Sequence, residues 1–437
     1  IPKSLLNMKI LHFVFDGVGD DDCHSVFLTS GTLISKIFDE KYPNSIGLFY
    51  STITDFCGFL VNEGEYKLMA LSAYGKPVFK DIMLKEILCA DGHRISMDMS
   101  WFDLDKTPER SFSKKFINHF GKPIKISNIN SPSDVEFIRA ANLAKSAQSA
   151  VEEVLTQVIK WATNHNPHDA ITISGGVAQN SLAMQRMAKI PSLKNKTIII
   201  PPSPGDSGAA IGAAAFGNLR LSNSFVQSDK IFYGSGYTKN DTELFDNLFK
   251  KIKTSERMDS DVDNLLLSGE IICTFFDGKE IGPRALGNRS ILCAANSKET
   301  VTNLNRKIKK REFFRPLAPV MLMETATRHF YLDKNVLINY RWMALTARAK
   351  NSIPKQYLPV LHKDGTARIQ IIDDKTHYIS IILQRLAGRV DMLINTSFNV
   401  AGDPIVHDII DCYTNMKRLG VSYLISDSGL YKLKNNK

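Results

Sequence analysis

The sequence predicts an α/β fold with two domains. Twice in the first half of the chain, at residues 170–180 and 197–216, a short apolar strand leads into a turn rich in Gly or Pro and then into a helix. The length of 437 residues exceeds what one hydrophobic core usually supports. Asn, Ser, Gly and Lys gather near residues 217–240, which is typical of a linker. We therefore predict one domain over residues 1–225 and a second, richer in strand-like runs, over residues 226–437.

The individual elements follow from apolar spacing and turn residues. Residues 9–15 are a short apolar run that ends in a DGVGD turn, which predicts a strand. A long helix is predicted from a capping box that starts at Ser133, directly after Pro132, to about Thr163, because its apolar residues recur three and four apart. In the second half, three further runs predict strands, at residues 271–276, 367–372 and 392–395.

Composition and cysteine spacing exclude several classes of protein. With 43% hydrophobic residues and no long polar tract, the chain is not mainly disordered. No run approaches 18 apolar residues, so we expect no membrane span. The cysteines form no CxxC pair, which argues against zinc ribbons and disulfide frameworks and predicts free thiols in a reducing cytoplasm. They are Cys23, Cys57, Cys89, Cys273, Cys293 and Cys412.

The net charge of +10 is concentrated in the second half. Residues 1–225 carry 23 Lys and Arg against 22 Asp and Glu, whereas residues 226–437 carry 32 against 23. Residues 279–315 alone hold ten basic and three acidic residues, interleaved with Gly, Pro and Asn. That pattern favours an anion site over a solvated basic face. A nucleic-acid surface is the rival explanation, but the near-neutral first half and the absence of a recognisable reading motif argue against a nucleic-acid partner.

Two glycine turns in the first half suggest a phosphate cleft. DGVGD at residues 16–20 and SGGVAQN at residues 174–180 both follow predicted strands. Gly allows positive φ and close backbone approach, and a helix that starts after such a turn presents free N–H groups to an anion. Each turn alone fits an ordinary tight turn, but together they suggest an actin-like nucleotide cleft. Asp206, just before a predicted helix, suits either a helix cap or a metal ligand.

The densest chemical signal lies at residues 278–290 and 305–316. The first segment contains GPRALGNRS and the second contains KKREFFRP. Arg presents a planar fork that matches phosphate oxygens, and Lys adds a point charge. Such groups stabilise charge that develops on a transferring group when water is excluded. These segments therefore predict a site for phosphorylated substrates.

Five segments in order resemble the O-carbamoyltransferase family, which includes nodulation-factor and antibiotic-tailoring carbamoyltransferases. They are DGVGD, GEYKLMALSAYGKP, ISGGVAQN with PPSPGDSGAAIGAA, GPRALGNRS with KKREFFRP, and DGTARIQ with INTSFNVAGDPIV. The resemblance runs from Asp16 to about Lys432. It implies a TsaD-like domain of the actin/sugar-kinase type followed by a YrdC-like α/β domain.

The resemblance also implies a two-step reaction. The YrdC-like half would form carbamoyl adenylate from ATP and carbamoyl phosphate, and the TsaD-like half would transfer the carbamoyl group to a hydroxyl of a small molecule or sugar. The implied catalytic residues of the first step are Arg284, Lys309, Arg315, Arg368 and Ser397. The implied nucleotide- and phosphate-binding residues are Asp16, Gly17, Gly175, Gly176, Asn180, Arg289, Arg311 and Asn395. Asp206 is the implied ligand of a divalent metal, iron or magnesium.

The chain departs from the family pattern before Asp16. The family has a longer N-terminal region there, with an HxxxH pair that binds metal, whereas fifteen residues precede Asp16 and none of the ten histidines forms HxxxH. His165 and His168 are three apart, but they flank an apparent loop. We therefore expect an N-terminally truncated first domain whose missing segment lies upstream, is supplied by a partner chain, or is lost.

Three functions stay open at this point. The leading one is the carbamoyltransferase, and the second is a truncated relative that binds nucleotide or forms carbamoyl adenylate without transfer. The third is a tRNA-modifying enzyme, since TsaD and YrdC proteins jointly make threonylcarbamoyl-adenosine. The order of the motifs fits the small-molecule family better. Hydrogenase-maturation relatives carry CxxC zinc fingers, which this chain lacks.

Overall fold

The computed structural model describes residues 8–104, 110–126, 129, 131–224, 231–234, 239–255 and 258–434. The chain divides into two units, which are Ile1–Asp229 with Asp333–Asn339, and Lys230–Leu332 with Tyr340–Lys437. The domain boundary predicted between residues 225 and 226 falls outside the described residues. Within these ranges, no helix combines the length and the apolar character needed to cross a membrane.

The first unit is built on a five-stranded mixed sheet. Its strands are β1 Lys9–Phe15, β2 Asp22–Ser30, β3 Leu33–Lys41, β6 Ala170–Ser174 and β7 Thr197–Ile199, and a separate hairpin holds β4 Leu88–Asp91 and β5 Arg94–Met97. The strand order is β3-β2-β1-β6-β7, in which β1, β6 and β7 are parallel and β2 and β3 form antiparallel pairs. Strand β1 has the predicted bounds and alternates buried and half-buried side chains from Leu11 to Phe15, as a half-covered strand should. The parallel strands therefore end at one edge of the sheet.

One long helix supports this sheet. The helices of the first unit are α1 Ile46–Phe56, α2 Glu65–Leu71, α3 Lys80–Ile82, α4 Lys114–Phe120, α5 Val135–His165, α6 Ser181–Met187 and α7 Ala209–Ser222. Helix α5 confirms the predicted long helix, and its buried stripe packs against α1, α2 and α6. The predicted cap differs by one residue. Asp134, not Ser133, accepts the hydrogen bond from the backbone N–H of Glu136, because an aspartate in extended backbone reaches that group as well as a serine does.

Helix α7 is exposed along most of its length. It follows a short 3₁₀ turn at Asp206–Gly208 and extends past the predicted end at residue 216. Leu219 is its buried side chain, whereas Phe216 is 48% and Leu221 is 92% exposed. Small residues give this helix its length, because Ala is the best helix former.

The second unit is built on an eight-stranded sheet. Its strands are β8 Phe249–Thr254, β9 Ile272–Thr274, β10 Ser290–Ala294, β11 Ala318–Leu322, β15 Gln370–Ile372, β16 Leu393–Ser397, β17 Tyr423–Ser426 and β18 Gly429–Leu433. A separate three-stranded sheet holds β12 Phe330–Tyr331, β13 Ala347–Ala349 and β14 Thr366–Ala367. The larger sheet runs β15-β11-β16-β10-β9-β17-β18-β8. The strand predicted over residues 367–372 is in fact two short strands, β14 and β15, in different sheets.

Helices cover this sheet and supply its core. They are α8 Lys239–Leu248, α9 Asp259–Leu267, α10 Lys298–Thr302, α11 Met323–His329, α12 Tyr378–Leu386 and α13 Ile409–Leu419. Apolar side chains of α9 and α12 pack on β9, β10, β11 and β16, with Val262, Leu383 and Leu292 fully buried. All five residues of β10 are buried, which is typical of a central strand. Both units thus have mixed α/β architecture, as the sequence predicts.

Candidate functional site

The register of the second sheet brings four loops to one edge. Ser290 at the start of β10 pairs with Ser397 at the end of β16, and Ala318 at the start of β11 pairs with Asn395. Strand β15 runs parallel to β11 from Gln370. The loops that precede β10, β11 and β15 therefore meet the loop that follows β16. These loops carry most of the basic residues singled out in the sequence.

Four guanidinium groups converge at this edge, one from the loop before β10, two from the loop before β11 and one from just before β15. They are Arg284, Arg311, Arg315 and Arg368, here called the guanidinium cluster. Burial lowers the pKa of the Arg368 guanidinium well below its ordinary value, and the other three members of the cluster lower it further. Like charges so close together repel unless a ligand balances them. A polyanion such as a phosphate chain is the chemistry that fits.

Two members of the cluster are oriented by neighbouring side chains. Arg311 donates from Nη2 to the Thr396 hydroxyl at 2.9 Å. Arg315 donates from Nη1 to Glu312 at 3.2 Å, and its side chain is 14% exposed. Asn305 donates to the Arg315 backbone carbonyl at 2.8 Å. These contacts limit the conformations of the two arginines before any ligand arrives, which lowers the entropy cost of binding.

Lys309 lies beneath the cluster and holds the loop after β16. The side chain is 2% exposed, and its Nζ donates to the backbone carbonyl of Ser397 at 2.8 Å and to both oxygens of Asn399 at 2.5 and 2.8 Å. Burial first, and then the charges of Arg311 and Arg315, lower the pKa of Lys309 to about 7. The geometry therefore gives Lys309 a part in shaping the loop, beside the predicted part in binding phosphate. The Ser397 hydroxyl donates to Asn399 at 2.7 Å in the same loop.

Two other predicted ligand-binding residues point into the protein. Arg289 is 2% exposed, donates to the carbonyls of Phe276 and Asn288, and lies 3.8 Å from the centre of the Phe275 ring. Asn395 is 1% exposed and donates to the side-chain oxygen of Gln370 at 2.6 Å and to the Ala285 carbonyl at 3.3 Å. Both brace the walls of the site, and their roles as ligand contacts stay predictions.

Glu280 is a residue of this edge that the sequence analysis did not single out. One of its carboxylate oxygens accepts hydrogen bonds from four consecutive backbone N–H groups, those of residues 286, 287, 288 and 289, at 2.8, 3.0, 2.8 and 3.1 Å. These groups belong to residues 282–289, here called the arginine loop, which carries Arg284. The signal available in the sequence was a carboxylate two residues before the Gly-Pro-Arg run, inside an otherwise basic stretch.

In the first unit, three turns meet at the carboxyl ends of β1, β6 and β7. Gly175 has φ of +88° and donates to the Pro204 carbonyl at 2.7 Å, and a Cβ at this position would lie 2.1 Å from the Phe15 carbonyl oxygen. A Cβ at Gly176 would lie 2.9 Å from the Asp16 carboxylate. Asp16 in turn accepts from the N–H of Gly17 at 2.8 Å. The structure therefore brings together four of the predicted cleft residues, at the sheet edge where α/β proteins bind ligands.

Asn180, a fifth predicted cleft residue, is engaged elsewhere. Its side-chain oxygen caps α6 by accepting from the N–H of Ala183 at 3.0 Å. Its amide also exchanges two hydrogen bonds with the fully buried amide of Gln148, at 2.9 and 3.0 Å, and the Tyr50 hydroxyl donates to the same Gln148 at 2.9 Å. Asn180 thus fixes the helix that follows the second glycine turn, and its contact with nucleotide stays a prediction.

The described residues do not by themselves form a metal centre. Asp206 is exposed and caps no helix, since α7 begins after Gly208 without a side-chain cap. Across the described ranges, no three side chains of His, Cys, Asp or Glu come together in a way that could hold a metal ion. His165 bonds through Nδ1 to the Trp161 carbonyl at 2.8 Å and His168 to that of Asn166 at 2.9 Å. The metal predicted at Asp206 therefore has no set of three such ligands among the described residues.

Comparison with known proteins identifies the family. The family models described as Carbamoyltransferase N-terminus and Carbamoyltransferase C-terminus match residues 5–215 and 263–432. An uncharacterised protein of Synechocystis sp. is 31% identical over 94% of this chain and 71% of its own length. The nodulation protein NolO of Bradyrhizobium diazoefficiens is 27% identical over 92% of this chain and 72% of its own length. The solved structure of full-length HypF in its phosphate- and nucleotide-bound form covers 42% of this chain and 22% of that chain at 18% identity, with a TM-score of 0.30, which supports no functional argument. The chain belongs to the carbamoyltransferase family.

Proposed function

We propose that the second unit forms carbamoyl adenylate from ATP and carbamoyl phosphate. The guanidinium cluster is the observation that carries this proposal, because two phosphorylated substrates supply the negative charge that four clustered arginines require. The bonds balance when one water is consumed. Water hydrolyses carbamoyl phosphate to carbamate and phosphate. A carbamate oxygen then attacks the α-phosphorus of ATP, which forms the O–P bond of carbamoyl adenylate and displaces pyrophosphate.

The residues of the cluster act by position and charge. Arg284 and Arg315 would neutralise the negative charge that builds up on the leaving pyrophosphate. Arg311 and Arg368 hold the phosphate chain from the loops before β11 and β15. Lys309 keeps the loop after β16 in shape through its three hydrogen bonds, so that Ser397 completes the wall of the pocket. A YrdC-like arrangement of this unit is part of the proposal.

We propose that the first unit transfers the carbamoyl group to a hydroxyl of a small molecule or sugar. The strand order β3-β2-β1-β6-β7, with three parallel strands beside an antiparallel hairpin, supports a TsaD-like arrangement of the actin/sugar-kinase type. The turns around Asp16, Gly175 and Gly176 lie against each other at this sheet edge, where they would bind the adenylate phosphate. Nucleic acid is not the proposed acceptor, because the basic residues are concentrated in the second unit, where the phosphate site is.

We also propose that the transfer step is completed by protein outside the described residues. Asp206 is exposed, and no group of three His, Cys, Asp or Glu side chains that could hold a metal ion forms among the described residues. The neighbouring helix α7 exposes Ile211, Phe216 and Leu221, apolar side chains that a partner segment would cover. Such a segment, on this polypeptide or a partner chain, would supply the remaining ligands of an iron or magnesium ion.

A cytoplasmic location suits the thiols. All six cysteines are free, and burial raises the pKa of Cys57 and Cys293 to about 12 each. Such thiols are inert core residues that need no oxidising compartment.

Pyrophosphate release from the purified chain tests the proposed first step. ATP and carbamoyl phosphate together, without an acceptor, should give pyrophosphate, and neither substrate alone should do so. Release that ignores carbamoyl phosphate would point to a simple nucleotidase. A folded protein that releases nothing would favour the relative that only binds nucleotide.

A further inference from the structure

We infer that Glu280 is a positioning residue that shapes the arginine loop by filling its anion-binding hollow with a carboxylate of the protein itself. Four successive backbone N–H groups converge on one oxygen, at distances of 2.8 to 3.1 Å. Such a ring of donors is the arrangement with which glycine-rich loops cradle phosphate. Here the protein supplies the anion, so the N–H groups of residues 286–289 are already bonded within the protein.

The neighbouring contacts show that the carboxylate is the central anchor of the loop. The loop carbonyls are held from outside by Thr274, which donates to Gly287 at 2.7 Å, and by Gln370, which donates to Leu286 at 2.8 Å. Glu280 binds the N–H groups of the same residues from within. Gly287 has φ of +131°, a backbone conformation that L side chains rarely adopt, so the loop needs such anchors to keep its shape.

Two consequences follow for the proposed reaction, on which this inference rests. First, phosphate recognition is left to side chains, chiefly the guanidinium cluster, because the backbone donors of residues 286–289 are already used. Second, the position of Arg284 depends on Glu280. Arg284 lies in the short segment between Glu280 and residues 286–289, and the hydrogen bonds of the carboxylate fix both ends of that segment. Removal of the carboxylate should free the loop and misplace Arg284 by an ångström or more, which typically costs roughly 100-fold in rate.

The experiment compares Glu280→Ala, Glu280→Gln and Glu299→Ala with the wild type. Glu299 is an exposed carboxylate in the same basic stretch, so its removal controls for the lost negative charge. Hydrogen exchange of amides 286–289 is measured first, because this readout does not depend on the reaction. We expect at least tenfold faster exchange in Glu280→Ala, an intermediate rate in Glu280→Gln, which keeps an acceptor oxygen, and wild-type exchange in Glu299→Ala.

Pyrophosphate release is then measured with and without added formate, a carboxylate small enough for the emptied hollow. We expect Glu280→Ala to lose roughly 100-fold in turnover and to regain most of it with formate. Unchanged exchange at 286–289, or formate that raises thermal stability without restoring turnover, would overturn the positioning role. A wild type that releases no pyrophosphate would refute the proposed function instead, while the exchange measurement would still test the anchor.

Discussion

Replacing Arg368 with methionine should stabilise the free protein and remove most of the stabilisation that pyrophosphate gives it. Methionine keeps an unbranched apolar stem and removes the charge. In the structure, two effects make the charged Arg368 guanidinium unfavourable in the folded state. They are its burial and its repulsion by the other three members of the cluster. Both effects disappear in Arg368→Met, so the free energy of unfolding of the ligand-free protein should rise.

The size of the gain follows from Coulomb's law. As an order of magnitude, two like charges about 8 Å apart repel by about 2 kcal/mol at an effective dielectric constant of about 20. Three such neighbours would add about 6 kcal/mol, but salt and the water that reaches this half-buried cluster screen most of it. We expect the free energy of unfolding to rise by about 1–2 kcal/mol in a buffer without polyvalent anions. Wild-type protein should gain about 2.7 kcal/mol from pyrophosphate at 100 times its Kd.

Urea unfolding with and without pyrophosphate measures both effects. Arg368→Met should be the more stable protein without pyrophosphate and should gain little when it is added. Arg389→Met is the matched control, because Arg389 is exposed and donates to the Arg385 carbonyl at 3.3 Å, away from the cluster. If Arg368→Met is less stable than the wild type and still gains the full increment from pyrophosphate, the cluster is not an anion site.

Four further predictions follow from the same structure. Arg315→Ala should cut pyrophosphate release by about 10²–10³, the usual loss for one charge-stabilising contact, and near-normal release would contradict its role. Asp206→Asn should spare pyrophosphate release and remove carbamoyl transfer once an acceptor is found, and equal loss of both steps would show that the two sites are not separable. Because the pKa of Lys309 is lowered to about 7, the unfolded chain binds more protons between about pH 7 and pH 10.5. The free energy of unfolding of the wild type, measured in urea relative to Lys309→Met, should therefore rise over that range by at most about 1.4 kcal/mol per pH unit. A difference between the two proteins that does not change with pH would contradict this prediction. Gly175→Ala should lower the free energy of unfolding by about 2–4 kcal/mol, because its Cβ would meet the Phe15 carbonyl. Gly212→Ala, which has open space around it in the exposed helix α7, should raise that free energy by about 0.5–1 kcal/mol. Similar unfolding midpoints for the two variants would contradict the close packing inferred at Gly175.

The sequence predicts the elements well where the pattern is local. Strand β1 has the predicted bounds, and the end of α5 lies two residues beyond the predicted one, because apolar periodicity directly reports which face is buried. The prediction failed at residues 367–372, where one apolar run serves two sheets. A change of strand partner leaves no mark in local spacing, so no periodicity argument could have found it.

The candidate site was predictable in composition but not in orientation. The basic stretch at residues 279–315 correctly indicates where guanidinium groups gather, since charge density can be read from the sequence. The sequence does not reveal which of these guanidinium groups join the cluster, because that depends on the register of β10 against β16. Arg289 and Arg284 stand five residues apart in the same motif, yet Arg289 lies against Phe275 with 2% exposure while Arg284 joins the cluster. Glu280 was missed for the same reason, as its partners are backbone groups that carry no residue-type signal.

Detection of carbamoyl adenylate itself would show whether the second unit catalyses the proposed first step. The purified chain is incubated with ATP and carbamoyl phosphate, quenched rapidly and analysed by mass spectrometry, with Arg315→Ala as the control. We expect carbamoyl adenylate and pyrophosphate in equal amounts from the wild type, and about 10²–10³ times less of both from the variant. Conversion of ATP to ADP instead, or an adenylate formed equally well by Arg315→Ala, would contradict this expectation.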